Sequence, residues 1–314
     1  MNMRKWTAGC AALLIAAGLL AACGGKHDAS APDKLNVVTT FYPIYYLATE
    51  IGGEDANVVN LIPTGVEPHD WTPKSRDLNT ASKAELFLYN GAGLEGWVEG
   101  FLQGAGKKAK TLEVSKGIDL IDADAEVVED EHADGHNHGD LHVDPHTWVS
   151  PKSMLRMGEN VKEAFMQADE AHGADYERRY EALKGKLGEL DRKYADSLAG
   201  VSKRDIVVSH QAFGYLCRDY GLTQTAVMGL SPDAEPRAQD LLKIAQFVKD
   251  NGVKTIFFEE LVSDRIAKTL AQEANVGTMV LNPVEGLTSE EEKAGDDYVT
   301  LMERNLQNLL KALQ

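Results

Sequence analysis

The chain has 314 residues, 43 % of them hydrophobic, and a formal charge of −17. That length suggests about two domains of roughly 150 residues each, and the apolar content is ample for real cores. The negative charge argues against nucleic acid and anionic membrane surfaces as partners and is compatible with a cationic ligand.

Taken in chain order, the sequence opens on a processing signal. Arg4 and Lys5 precede the apolar run Ala11 to Leu20, which at about ten residues is too short to span a membrane as a mature helix. It ends Leu20-Ala21-Ala22-Cys23. This resembles a bacterial lipobox and implies removal of residues 1–22, a lipid on Cys23 and membrane anchoring through that lipid. The alternative is an ordinary secretory signal with an incidental cysteine. Residues 23–34 are then a polar tether. With Cys10 removed and Cys23 lipidated, only Cys217 remains, so no intramolecular disulfide or cysteine-based metal site is expected. Cys217 reads as a small buried hydrophobe.

From Leu35 onward, strand and helix signals alternate. Strands are expected at 35–41, 58–62, 86–89 and 110–114, with helices at 42–51, 75–84 and 94–102 between them. A helix starts at Pro151, with Ser150 as its N-cap. Next come Tyr176, Tyr180, Leu183, Leu187, Leu190, Tyr194 and Leu198, spaced to line one face of a single long helix that stops near Gly200. Such a helix either lies on one domain or bridges two. The second half repeats the alternation: strands at 205–209, 225–228, 253–258 and 278–281, and helices from about Gln211, at 235–251, up to Ala274 and at 296–313. Two α/β units follow from this pattern.

Five of the nine histidines lie between 132 and 146, and histidine is the commonest metal ligand. His132, His136 and His138 sit in the acidic run Glu126 to Asp140, with His142 just after it. These read as a solvated flexible loop and as a candidate secondary metal site. His146 differs, because Pro145, Trp148 and the helix start at Ser150-Pro151 give it structured surroundings. In open α/β sheets, ligands bind beyond the carboxyl ends of the strands. His69 follows strand 58–62, His210 follows strand 205–209 and Glu285 follows strand 278–281, while His146 joins from the loop before Pro151. Two candidates come from each half, so a shared site would lie in the cleft between them. Singly, each histidine has a structural, hydrogen-bonded alternative. Glu67, Glu259 and Glu260 also fall near strand ends and are assigned supporting or structural roles.

Five ordered motifs carry a resemblance. They are Thr40-Phe-Tyr-Pro43, Gly65-Val-Glu-Pro-His-Asp70, His142-Val-Asp-Pro-His-Thr-Trp148, Ser209-His-Gln-Ala-Phe-Gly-Tyr215 and Asn282-Pro-Val-Glu-Gly-Leu287. From about Leu35 to the C-terminus the chain resembles the metal-binding lipoproteins of bacterial zinc and manganese ABC importers. The resemblance implies two α/β lobes, each a small mainly parallel sheet flanked by helices, joined by one long rigid helix with the metal in the interlobe cleft. By that pattern the N-terminal lobe is 35–170, including the His-rich loop 126–142, the linker helix is 171–200 and the C-terminal lobe is 201–314. It further implies His69, His146, His210 and Glu285 as ligands, and a monomeric, non-catalytic receptor that passes Zn(II) to an import permease. The zinc members are similar in having histidine as third ligand. Independently, three imidazoles and a carboxylate suit four-coordinate Zn²⁺, whereas Mn²⁺ prefers more oxygen donors. The alternatives are a manganese- or iron-type receptor or an adhesin of the same fold, and a zinc-dependent hydrolase. For the hydrolase, His136-Asn-His138-Gly-Asp140-Leu-His142 approaches H-x-H-x-D-H, but Leu141 stands where that motif needs histidine.

Overall fold

Parallel strands buried on both faces read as continuous apolar runs, and β1 (Leu35–Thr39) is such a run, with four of its five residues buried. In the computed structural model it pairs in parallel with β2 (Ala56–Asn60) on one side and β3 (Leu86–Tyr89) on the other. β4 (Lys110–Glu113) extends the sheet beyond β3, giving the order β2-β1-β3-β4. The second sheet has β5 (Asp205–Val208), β6 (Thr223–Ala226), β7 (Thr255–Phe258) and β8 (Gly277–Val280) in the order β6-β5-β7-β8, also parallel. The two lobes therefore share one topology without a legible sequence repeat. The structure describes residues 34–106, 109–123, 142–232 and 236–314. The expected leader, Cys23, the tether up to residue 33 and His132, His136 and His138 lie outside the described residues.

Helices cover the sheets: α1 (Tyr42–Gly52), α2 (Ser75–Ala81), α3 (Val98–Gly104) and α4 (Pro151–Ala168) in the first half, and α5 (Gly173–Ala199) after them. The second half has α6 (Gly214–Tyr220), α7 (Ala238–Asp250), α8 (Arg265–Ala274), α9 (Ser289–Ala294) and α10 (Tyr298–Ala312). Helix α4 starts as the sequence suggests, with Ser150 accepting from the Ser153 amide and proline in the first turn. Among the described residues, no helix is long and apolar enough to cross a membrane.

Helix α5 has 27 residues, about 40 Å at 1.5 Å per residue. Its whole stripe from Tyr176 to Leu198 is buried. The N-terminal half packs on α1 and α4, where the Arg179 guanidinium donates to the Gly52 carbonyl and pairs with Asp55. The C-terminal half packs on α6 and α10, where the Tyr194 hydroxyl donates to the Met302 carbonyl. The bridging reading of this helix is therefore the observed one, and one continuous core runs from Leu35 through the helix to Leu313.

Several boundaries differ from the sequence expectation. β6 starts two residues early because Gly221, left-handed at φ 69°, ends α6 and sends the chain directly into the strand. Helix α6 starts at Gly214 rather than Gln211, because residues 210–212 form a turn closed by the Ala212 amide donating to the His210 carbonyl. Helix α3 starts at Val98 rather than Leu94, because Glu95 turns inward to accept the amides of Asn90 and Gly91. Helix α9 was not expected, although its capping box, Thr288 with Glu291, was in the sequence.

Candidate metal centre

The loop after β2 carries His69. Gly65, at φ 79°, lets this loop fold over so that its amide donates to the Leu287 carbonyl of the second lobe at 2.8 Å. Trp71 packs edge-on against Trp97, with ring centroids 5.2 Å apart.

His146 is fixed from both lobes. At the carboxyl ends of β1 and β3, where the strand order reverses, buried Glu95 accepts from Thr40 Oγ1 at 2.7 Å and the Asn90 amide at 2.8 Å. Asn90 Nδ2 in turn donates to the Pro145 carbonyl at 2.9 Å. From the other lobe, the Tyr215 hydroxyl donates to the Asp144 carbonyl at 2.6 Å, and the Trp148 indole N–H donates to the Pro283 carbonyl at 2.8 Å. Gly214 is required here, since a Cβ at that position would stand 2.5 Å from Asp144 Oδ2.

His210 follows β5, and Glu259 follows the neighbouring strand β7, so the second lobe also uses its point of strand reversal. Glu285 follows Val284, a β-branched residue held at φ 59°. Such a backbone costs about 1–3 kcal/mol and persists only when its surroundings over-determine it. Asn282 does so: its Oδ1 accepts the Val284 amide at 2.7 Å, and its carbonyl accepts from Asn305 Nδ2.

These four residues converge. His146 Nε2 lies 3.1 Å from His69 Nε2 and 3.3 Å from His210 Nε2. Glu285 Oε1 lies 3.4 Å from His69 Nε2, 3.4 Å from His146 Nε2 and 3.6 Å from His210 Nε2. A tetrahedral ion with ligands at about 2.0–2.1 Å requires ligand separations of about 3.3–3.4 Å, which these distances bracket. The far side of each ring matters equally. His146 Nδ1 faces Asp144 at 2.7 Å and His210 Nδ1 faces Glu259 at 2.7 Å. A carboxylate accepts, so both Nδ1 atoms carry the proton and both Nε2 atoms point lone pairs inward. Glu285 Oε1 is buried among them with no hydrogen-bond donor. Lone pairs and a carboxylate oxygen packed this closely need a proton or a cation between them. Among the described residues, this is the group of histidine and carboxylate side chains arranged to hold a metal ion.

Titration follows from the same contacts. Burial alone would lower His146 and His210, but Asp144 and Glu259, helped by Glu285, hold both above the usual histidine value, His210 well above it. For His69, burial outweighs Glu285 and pushes it down. Burial opposes the charge on Glu285, but the three imidazoles hold its carboxyl well below the usual range. Glu67 is pushed up to about 8, by burial and then by Glu285.

The structure thus brings together His69, His146, His210 and Glu285. His142 is exposed at the foot of its loop, where its carbonyl accepts the Ala123 amide. Sequence reasoning missed Asp144, although its place two residues before His146 was a usable signal. It also missed Glu95 and Asn90, for which no local signal exists.

Comparison with known proteins gives consistent results. The family described as zinc-uptake complex component A, periplasmic (ZnuA) matches residues 37–312. The high-affinity zinc uptake system protein ZnuA of Bacillus subtilis is 39 % identical over 302 residues, covering 94 % of each chain. The zinc-binding lipoprotein AdcA of Streptococcus pneumoniae is 38 % identical over 293 residues, 92 % of this chain and 58 % of AdcA. The chain therefore spans little more than half the length of that relative. The Zn(II)-bound ZnuA-like domain of S. pneumoniae AdcA superposes with a TM-score of 0.76 at 37 % identity, over 89 % of this chain and 99 % of the domain.

Proposed function

The chain belongs to the ZnuA family of zinc-uptake components, and from that premise we propose that it is an extracytoplasmic receptor that binds Zn(II) between its lobes and delivers it to an ABC import permease, without catalysing a reaction. His69, His146, His210 and Glu285 are the proposed ligands, and Asp144 and Glu259 the residues that aim two of the imidazoles. One observation carries the reading: three Nε2 atoms and one unpartnered carboxylate oxygen face one another at separations a tetrahedral ion would set. Three neutral imidazoles and one carboxylate favour zinc over manganese, which takes more oxygen ligands. The reading extends to the leader 1–22, a lipid on Cys23, the tether 23–34 and lobes 35–170 and 201–314 about helix 171–200. Protein purified without chelator should carry about one tightly held zinc per chain. Purified protein that took up manganese in preference to zinc would sink the assignment.

The acidic histidine run is proposed as a second, weaker zinc-binding segment, because ordering a loop around a metal costs conformational entropy. Deleting residues 126–140 should lower zinc stoichiometry at saturation and leave the tight site intact. Unchanged stoichiometry would remove any metal role for His132, His136 and His138.

Acid should weaken binding, beginning above the ordinary histidine value of about 6.5. His146 and His210 are raised in the metal-free fold, so zinc competes with protons there at higher pH than at an ordinary imidazole. His69 is lowered and joins only at lower pH. The sign for stability is opposite. The raised histidines stabilise the metal-free fold fully below about pH 6.5, and that contribution is lost as pH rises through their folded values. The zinc-induced gain should therefore be larger at pH 8 than at pH 6. Calorimetry in buffers of different ionisation enthalpy should detect protons released on zinc binding, more at pH 6 than at pH 8. No proton release even at pH 6 would contradict histidines raised by their carboxylates.

A further inference from the structure

The candidate ligands are closed off on most sides. His146, His210 and Trp148 are fully buried, and the hydrogen bonds from Trp148 to Pro283 and from Tyr215 to Asp144 tie the lobes together over them. On the Glu285 side the surface differs. A groove of about 360 Å³ lies between the lobes there, with Tyr42, Val58 and Val66 on one wall and Glu285, Leu287 and Glu292 on the other. At its rim, exposed Thr64 donates from Oγ1 to exposed Glu292 Oε1 at 2.8 Å. That bond and the Gly65 amide to the Leu287 carbonyl, also 2.8 Å, hold the His69 loop against the second lobe.

We propose that this groove is the route by which the ion reaches and leaves the centre, with Glu292 as the residue that captures it and the Thr64–Glu292 hydrogen bond as the contact that parts to let it pass. The proposal rests on the zinc reading above and adds a residue to it. The rim is electronegative. Tyr42, on the groove wall, has its hydroxyl held above the ordinary value by burial first and then by Asp297, Glu291 and Asp296. Arg304 pairs with Asp296 at 2.6 Å and offsets part of that charge, and Lys293 stands beside Glu292 in α9; Glu292 itself is engaged by a neutral hydroxyl. A cleft lined by one sign of charge concentrates the opposite ion and raises its association rate. Glu292 sits where an arriving cation passes from solvent to Glu285.

The test is stopped-flow kinetics of zinc chloride with the full chain, read against a competing fluorescent chelator. Glu292→Gln keeps an acceptor for Thr64 but removes the charge. Association should slow by about three- to tenfold at low ionic strength, and the gap should close near 1 M salt, where the screening length is about 3 Å. Thr64→Val keeps the charge but removes the hydrogen bond. Dissociation should quicken by about fivefold, the scale of one such bond, and association should quicken as well, because the same contact parts for entry. Glu181→Gln, an exposed carboxylate on α5, controls for the loss of one charge from the whole protein and should leave both rates alone. The proposal is overturned if Glu292→Gln and Glu181→Gln slow association equally, or if Thr64→Val dissociates at the wild-type rate. Wild-type protein that takes up no zinc would overturn the receptor reading itself, an outcome distinct from normal uptake with unaffected variants.

Discussion

His210→Ala should lower zinc affinity by more than a hundredfold. Structural zinc sites hold their ion with about 10–16 kcal/mol; shared over four ligands that scale is about 3 kcal/mol each, and every 1.4 kcal/mol is tenfold. The substitution also leaves Glu259 buried beside an empty space, because that carboxylate has His210 Nδ1 and the His210 amide as its partners. Glu259→Gln separates the two effects. It keeps the shape and the ligand but replaces the acceptor that orients the ring, and changes to such residues cost about 10–100-fold. Asp144→Asn should behave similarly at His146. Competition titration should therefore rank wild type above the two amide variants and those above His210→Ala. Circular dichroism of each metal-free protein checks that the fold survives. Wild-type affinity in His210→Ala would remove that residue from the ligand set.

Zinc should raise the melting temperature substantially, and a chelator should reverse the gain. A ligand that binds only the folded state stabilises it by about 4.1 kcal/mol at a thousandfold excess over Kd. For a chain of this size each kcal/mol moves the midpoint by about 1.5–2 °C, so a gain of about 6–8 °C is expected. The mechanism is local. In the metal-free protein, the Nε2 atoms of His69, His146 and His210 and the Glu285 oxygen crowd one another at 3.1–3.6 Å, and an ion between them removes that crowding. An ion held by these four residues would link loops from both lobes, so the gain should appear as one cooperative transition of the joined lobes. Scanning calorimetry with and without zinc at pH 8 measures it. An unchanged midpoint would mean that the folded protein holds no preformed site.

Much of this was legible in the residues. The spacing of apolar side chains from Tyr176 to Leu198 determined a long one-faced helix, because 3.6 residues per turn leave no other way to bury that stripe. The alternation of short strand-like runs with helical stretches determined two α/β units, because strands separated by helices pair in parallel. The ligand types were legible too: three histidines and a glutamate after strand ends carry the chemistry of their donors wherever they fold. Tertiary structure alone decided the rest. That α5 bridges both lobes depends on what faces its two halves, α1 and α4 at one end and α6 and α10 at the other, and periodicity says nothing about a partner. Which histidine is raised and which is lowered depends on Asp144 behind His146, Glu259 behind His210 and the dominance of burial at His69. His210 and Glu259 are 49 residues apart and meet only because β5 and β7 are neighbours in the sheet. Chain order fixes the groups available to titrate, but their charge states are set by distances of a few ångströms that arise only when the strands pair and the lobes close on each other.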